Sequence, residues 1–468
     1  MDFRFLKLYK FPILLALSCA AFYFSFAFGL DRSDFFRLIG LYGAVFFLSF
    51  KLIQLQKHNF WFLTGAALVF RLIFIFALPM LSQDYFRFIW DGRLIASGWN
   101  PYEYIPTELI KLPDFDISQS EDLLTGMGSL SAGHYSNYPP LNQLIFALSG
   151  WLASTSIPGS AIIFRLVIIL ADVGTLIFGR KLLKSLQLPE HQIFWYILNP
   201  FIIIELTGNL HFEAVMVFLL VFSLYLLHKG NWIWSAVVLG LSVSIKLLPL
   251  LFLPLFFKYF SRTSIGLSLT KSNSHPERSR RIDGLKKLFL YYIVCISTVG
   301  ISFLPFYSAE VISNFMNSVG LWFGKFEFNA SIYYIIRWIG FQVKGYNIIE
   351  TVGKILPLMT ILVILGLTFF RKYQNTKQLL TNMLFAVTAY LFLSTTVHPW
   401  YLAIPLMLSI FTNFRYMIIW TAVVMLSYYT YSNPAFQENL WLITLEYLVL
   451  FGFLIKELLN NRKQAITV

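Results

Sequence analysis

The sequence predicts an all-α, polytopic transmembrane helical bundle, and three observations predict it. Hydrophobic residues make up 57% of the 468 residues and charged residues only 13%, against about a quarter charged in an average globular protein. The mean hydropathy is +0.68. The apolar residues also gather into runs of bilayer-spanning length, about 17–25 residues. A soluble core could not hide that much apolar surface, to which Phe alone contributes 49 residues, and a disordered chain is far more polar. The whole of 1–468 reads as a single integral membrane domain.

Apolar runs at 11–30, 35–53 and 60–80 open the chain. Arg4, Lys7 and Lys10 precede the first, but no small-residue cleavage site follows, so it reads as an uncleaved span rather than a signal peptide. Further strong runs lie at 161–183, 211–228, 288–306, 353–370, 380–397, 416–432 and 440–457. Weaker or broken ones lie at 142–157, 193–207, 232–260 and 400–412. Together they predict about 11–14 spans. Pro200, Pro249, Pro254, Pro357 and Pro405 interrupt several of them. Broken backbone survives in lipid only where protein buries it or a wet cavity meets it, so an internal cleft is expected.

Charge gives the expected orientation. Between Leu81 and Leu141 lie eight acidic and three basic residues, net −5, which leaves +18 on the rest of a chain whose total is +13. Lys and Arg accumulate on cytoplasmic loops. The basic stretch 258–287 therefore reads as a flexible cytoplasmic loop, and the acidic stretch 81–141 after the third span as a large extracytoplasmic loop. The patch Arg180, Lys181 and Lys184 conflicts with this if 142–157 crosses the membrane, and agrees with it if 142–157 is re-entrant. Positive-inside topology accounts for the basic residues, so no nucleic-acid partner is expected; membrane lipids are.

Chemistry concentrates where the third span leaves the bilayer, in Ser82-Gln83-Asp84-Tyr85-Phe86-Arg87-Phe88-Ile89-Trp90-Asp91-Gly92-Arg93, followed by Gly98-Trp99-Asn100-Pro101-Tyr102. A helix would put Asp84 and Asp91 on one face about two turns apart, with Arg87 in reach of both. An interfacial amphipathic helix explains the same composition. A partly desolvated carboxylate can also take a proton from a hydroxyl, with a neighbouring Arg steadying a phosphate.

Together with five later segments of the chain, these residues resemble the multi-span GT-C glycosyltransferases. They are most similar to the polyprenyl-phosphate-mannose-dependent enzymes, among them the mannosyltransferase that adds the first mannose to glycosylphosphatidylinositol. Asp84-Tyr85 and the Gly-x-Asn-Pro-Tyr run resemble that family's first large loop. In order along the chain, Tyr138-Pro139-Pro140-Leu141 resembles its Tyr-x-Pro-Leu segment, and Phe164 to Thr175, with Asp172, its helix with a single Asp. Leu198-Asn199-Pro200 with Gly208 and Glu213 resembles its Asn-Pro and Gly-x-x-Glu elements. Lys246-Leu247-Leu248-Pro249 resembles its Lys-x-x-Pro turn, and His398-Pro399-Trp400-Tyr401 its His-x-Trp-Tyr element. The resemblance covers roughly residues 60–410. Where the eukaryotic enzymes carry Asp-x-Asp, this chain has Ser82-Gln83-Asp84. No cofactor is expected, and the missing first acid leaves divalent-metal binding open.

The resemblance implies an inverting transfer of a hexose, mannose in particular, from a polyprenyl-phosphate sugar to a glycan or glycolipid acceptor. The site would face outward from a bacterial-type plasma membrane. Asp84 is expected as the general base, with Asp91 as a second catalytic candidate. Arg87, Arg93, His134, Lys246 and His398, with Arg337 behind them, are candidates to neutralise the departing lipid phosphate. Tyr138, Trp400 and Tyr401 are expected on the donor, although an interfacial aromatic belt explains the last two as well.

Ionisable residues inside spans default to functional hypotheses. Asn209, His211 and Glu213 form a possible second polar cluster, which a packing role explains equally; for Asp172 the packing role is preferred. His134, His211, Glu213 and His398 lack zinc-ligand spacing, so no metal site is expected. No phosphate-binding or dinucleotide fingerprint occurs. The rival readings are a lipid-linked oligosaccharide flippase or secondary transporter, and an oligosaccharide ligase or polymerase. A transporter would show internal repeats, and none is seen.

Overall fold

The first two helices, α1 (Phe3–Phe28) and α2 (Phe35–Gln56), form a hairpin whose turn ends at Asp34; its side chain accepts from the Arg37 N–H and caps α2. This is seen in a computed structural model that describes residues 3–266, 277–324, 326–371, 373 and 375–466. Asn59 caps α3 (Phe60–Leu72) in the same way. That helix stops short of the expected 60–80, because Pro79 has no N–H to continue it and the residues before it turn instead.

The acidic stretch is folded rather than irregular. It holds α4 (Asp84–Ala96), α5 (Pro106–Leu109) and α6 (Ser120–Ala132), and α7 (Pro140–Leu152) follows. Helix α4 is buried along most of its length against α7. The two backbones meet so closely that a Cβ at Gly92 would lie 2.1 Å from the Phe146 carbonyl oxygen, and one at Gly150 2.2 Å from that of Gly92. Only glycine fits at this crossing. At 13 residues, α7 is about 20 Å long, too short for a hydrocarbon core of about 30 Å.

Helix α8 (Ile157–Ser185) is 29 residues long. At its far end the Arg180 guanidinium lies 3.8 Å from the centre of the Phe60 ring. The patch at 180–184 thus sits beside Lys57 and His58, at the opposite end of α8 from the acidic insertion. The short α7 agrees with the re-entrant alternative for 142–157. Arg415 lies near His191 at the same end.

After the short α9 (Phe194–Ile197) the chain winds as a π-helical turn over Ile202–Gly208 and bends by 112° into α10 (Glu213–His228). Arg165, inside α8, holds this break. Its guanidinium donates to the carbonyls of Thr207 at 2.9 Å, Gly208 at 3.1 Å and Ile75 at 3.0 Å. A second buried cation, Arg71 of α3, pairs with Asp172 at 2.7 Å and caps the Ile197 carbonyl at 2.9 Å, the packing role preferred for Asp172.

Helix α11 (Trp232–Val243) packs on α10, α13 (Glu277–Phe303) on α11, and α12 (Phe256–Gly266) on α13. In place of the expected flexible loop, the described residues of the basic stretch 258–287 are helical, 258–266 in α12 and 277–287 in α13; its centre, 267–276, lies outside the described residues. There follow α14 (Val311–Gly324), α15 (Ile332–Lys344), α16 (Ile349–Phe370), α17 (Thr376–Phe392), α18 (Ala403–Ser409), α19 (Tyr416–Val423) and α20 (Leu440–Ile466). Lys258 of α12 donates to the carbonyls of Phe369 and Arg371, at the C-terminus of α16. The fold is all-α: among the described residues there is no strand beyond one isolated bridge, Phe328 to Thr396.

The chain is an integral membrane protein by its apolar helices. Five described helices are long and apolar enough to cross a bilayer: Lys10–Phe28, Phe35–Gln56, Ile157–Ser185, Ile282–Phe306 and Ile349–Phe370. The bent pair around Gly208 makes a sixth if its two halves form one span. Of the segments counted toward the expected 11–14 spans, Phe60–Leu72, Trp232–Val243, Leu248–Ser261 and Pro399–Ser409 are shorter apolar helices. Pro249 and Pro254 tighten 248–255 into a 3₁₀ turn, since each lacks the N–H an α-helix requires.

Candidate active site

One cavity of about 910 Å³ opens where α4, the turn before α7, the start of α10, the middle of α16 and the loops around 326, 396 and 431 converge. Its polar lining includes Arg32, Asp84, Arg87, Glu213, Lys246 and Glu438. Its apolar lining includes Met216, Leu247, Leu251, Leu356, Pro357 and Ile361.

Asp84 is the first residue of α4 and faces the cavity half-buried. Among the described residues none hydrogen-bonds its carboxylate; only its backbone N–H is engaged, with Ser82 Oγ. Burial pushes this carboxyl up from 3.8 to about 6, against the pull of the Lys246 ammonium and with a smaller push from Glu213. A carboxylate with free lone pairs and a raised pKa beside an open space is suited to take up a proton.

Arg87 is buried yet reaches the cavity. Its Nε bonds Asp91 at 2.8 Å, and its Nη1 donates to the carbonyls of Ser131 at 2.6 Å and His134 at 3.1 Å. Its Nη2 has no hydrogen-bond partner among the described residues. Asp91 does not line the cavity. It is fully buried, one oxygen held by Arg87 and the other by Ser136 at 2.6 Å and Gln143 at 2.9 Å. Its expected catalytic part is corrected: with both oxygens occupied it cannot reach a hydroxyl, and it instead fixes the Arg87 guanidinium. Arg93 is corrected likewise. It is away from the cavity, donating to the Ser118 carbonyl and to Gln119 Oε1, and so fastens the start of α6.

His134 and Tyr138 line the cavity from the turn before α7. Burial lowers the His134 imidazole below its usual value. Tyr102, the end of the Gly-x-Asn-Pro-Tyr run, donates to the Tyr138 carbonyl at 2.6 Å, and Asn100 donates to the Phe306 carbonyl at 3.0 Å. That run is a strut between the insertion and the turn before α14.

Lys246 pairs with Glu213 Oε1 and lies 5.8 Å from the centre of the Tyr401 ring. Trp400, Tyr401 and His398 line the cavity. His398 stacks on Trp400 at 4.5 Å and on Phe328 at 5.0 Å, and His211 stacks on Trp400 at 3.9 Å. Burial holds the His398 imidazole down, at about 3, with Lys246 adding to the shift, so it is neutral and acts as an aromatic plate. Of the second polar cluster only Glu213 reaches the cavity. His211 and Asn209 lie behind the wall with Glu205, which accepts from Tyr428 at 2.6 Å and Asn209 at 3.3 Å. Arg337 sits behind the lining on Glu327.

Sequence patterns do not single out Arg32, Glu327, Glu438 and Tyr431, which also line the cavity. Arg32 reaches from the α1–α2 turn to Gln83 Oε1 at 3.3 Å and lies 5.0 Å from the centre of the Tyr431 ring. Glu438 accepts from the Tyr334 hydroxyl and from the Asn329 N–H. No local pattern marks them, because each is brought in from a turn remote in sequence. Among the described residues no three His, Cys, Asp or Glu are placed to hold a metal ion.

Comparison with known proteins bears on this arrangement. The N-terminal domain profile of the alpha-(1->6)-mannopyranosyltransferases matches residues 39–261, which contain Asp84, Arg87, Glu213 and Lys246. The alpha-(1->6)-mannopyranosyltransferase A of Mycobacterium tuberculosis is 20% identical over 350 residues, covering 71% of this chain and 61% of its own. The alpha-(1->6)-mannopyranosyltransferase B of Corynebacterium glutamicum is 25% identical over 154 residues, covering 33% of this chain and 24% of its own. GPI mannosyltransferase 1 of Candida albicans is 38% identical over 105 residues, covering 21% of this chain and 26% of its own. The chain thus spans less than two thirds of the curated relatives it matches. It is nonetheless similar to both groups that the motifs resemble, to the alpha-(1->6)-mannopyranosyltransferases over residues 39–261 and to GPI mannosyltransferase 1 over a shorter stretch.

Proposed function

We propose that the chain is a membrane glycosyltransferase that moves a mannosyl unit from a polyprenyl-phosphate donor to a hydroxyl of a glycan or glycolipid acceptor. The names of its relatives support mannose as the sugar. The observation that carries the mechanism is the Asp84 carboxyl, without a partner among the described residues and with its pKa raised to about 6, in one cavity with Arg87 and Lys246. Asp84 takes the proton of the acceptor hydroxyl as its oxygen bonds to the anomeric carbon. The bond from that carbon to the donor phosphate breaks, the electron pair leaves with the phosphate, and the anomeric configuration inverts. Arg87 Nη2 and Lys246 neutralise the departing phosphate, and the apolar residues of α16 and 247–251 accept the prenyl chain.

The acidic insertion and the cavity face outward from a bacterial-type plasma membrane, a reading supported by the basic residues gathered at the other end of α8. The test is transfer from labelled polyprenyl-phosphate mannose in membranes carrying the wild type or Asp84→Asn. Loss in the variant is expected; equal transfer by both would remove Asp84 as the base.

A further inference from the structure

We propose that Glu213 reads the sugar of the donor: its second carboxylate oxygen accepts a hydrogen bond from one ring hydroxyl of the hexose. This rests on the polyprenyl-phosphate-sugar donor and adds to it a determinant of which sugar is taken. Glu213 is the first residue of α10, lines the cavity and is 1% exposed. Its Oε1 is engaged by Lys246, while its Oε2 is buried without a hydrogen-bond partner among the described residues. A buried carboxylate oxygen left unpaired is costly, so its presence on a cavity wall points to a group that the ligand brings.

The surroundings decide what that group is. An anionic oxygen would be repelled by Glu213 and drawn to Arg87 Nη2, another unpaired buried polar atom of a cavity-lining residue. What meets Oε2 must therefore donate a proton. Trp400 stacks on His211, two residues before Glu213, and Tyr401 lies beside the Lys246 ammonium that holds Oε1. A carboxylate that lines one cavity with two aromatic side chains suits a pyranose, whose C–H face packs on a ring while its hydroxyls bond the acid. Glu213 opens α10 directly after the 112° bend, on the cavity wall.

The test is equilibrium binding to the full-length protein in detergent, so that it does not depend on turnover. Polyprenyl-phosphate mannose, its monodeoxy analogues and sugar-free polyprenyl phosphate are compared on the wild type and on Glu213→Gln. One monodeoxy analogue should bind the wild type roughly 10- to 100-fold more weakly than the parent, the worth of a hydrogen bond to a charged group. Glu213→Gln should lose that discrimination and bind sugar-free polyprenyl phosphate no more weakly than the wild type does. Equal binding of every analogue by the wild type, an arm that needs no variant to fold, overturns the proposal, as does undiminished discrimination by Glu213→Gln. Intact discrimination in a protein that transfers no mannose would instead sink the transferase reading and leave Glu213 in place.

Discussion

The Arg180 guanidinium lies 3.8 Å from the centre of the Phe60 ring and also pairs with Glu190. This contact joins the end of α8 to the start of α3, so the basic residues 180–184 share an end of the molecule with Lys57 and His58. The acidic insertion is at the other end. Cysteine introduced at exposed Ser118 should then react with an impermeant thiol reagent in intact cells, and cysteine at Lys184 only after permeabilisation. Cys19 and Cys295 are buried and keep the background low. Protection of position 118 in intact cells would contradict the outward cavity.

Asp84→Asn should lower transfer by about 10²- to 10⁴-fold, the range of a lost general base. In the wild type, transfer should fall as pH drops through about 6, where the Asp84 carboxylate takes up its proton. The stability effect has the opposite sense. Because the fold raises this pKa above 3.8, the protonated acid is the form the fold favours, and stability declines as pH rises through that window. Asp84→Asn should therefore melt above the wild type at neutral pH, and the difference should close in acid.

Removing one partner of the buried Arg71–Asp172 pair leaves an uncompensated charge among apolar side chains. Arg71→Leu or Asp172→Asn should cost about 3–5 kcal/mol in denaturant unfolding. The double replacement should recover part of that loss, since it leaves no charge behind. Additive losses in the double variant would refute the pairing.

Arg165 bonds two carbonyls at the break before α10 and ties them to a third, that of Ile75, after α3. Lysine keeps the charge but has no planar fork to span them. Arg165→Lys should thus lower donor affinity through a displaced Glu213, read as a rise in KM, although residue 165 does not line the cavity.

Gly92 and Gly150 face each other where α4 crosses α7. Gly92→Ala puts a methyl group 2.1 Å from a backbone oxygen that cannot rotate away. A loss of folded protein on expression is expected, with Gly98→Ala, where open space surrounds the position but φ is +84°, costing far less than Gly92→Ala. Detergent-soluble yield by size-exclusion chromatography reads the comparison.

The amino-acid order by itself determined the solvent, the helical class and the segments where charge gathers. Burying backbone in lipid leaves a chain this apolar little but helices, and the motif at 84–102 stands out as polar matter beside a span. It also picked out Glu213 and Lys246, because ionisable residues are costly within a span, and Asp84, Arg87 and Trp400 through the motifs that resemble the family. Only tertiary structure decided which of them meet. Asp91 and Asp84 look equivalent along a helix, yet Ser136 and Gln143 close over one and leave the other open. Arg32, Glu438 and Tyr431 reach the cavity from turns remote in sequence, and Arg165 bends the chain that presents Glu213. Periodicity reports which face of a helix is apolar; it carries no information on which distant turn will cover that face, since that depends on how the helices pack in three dimensions.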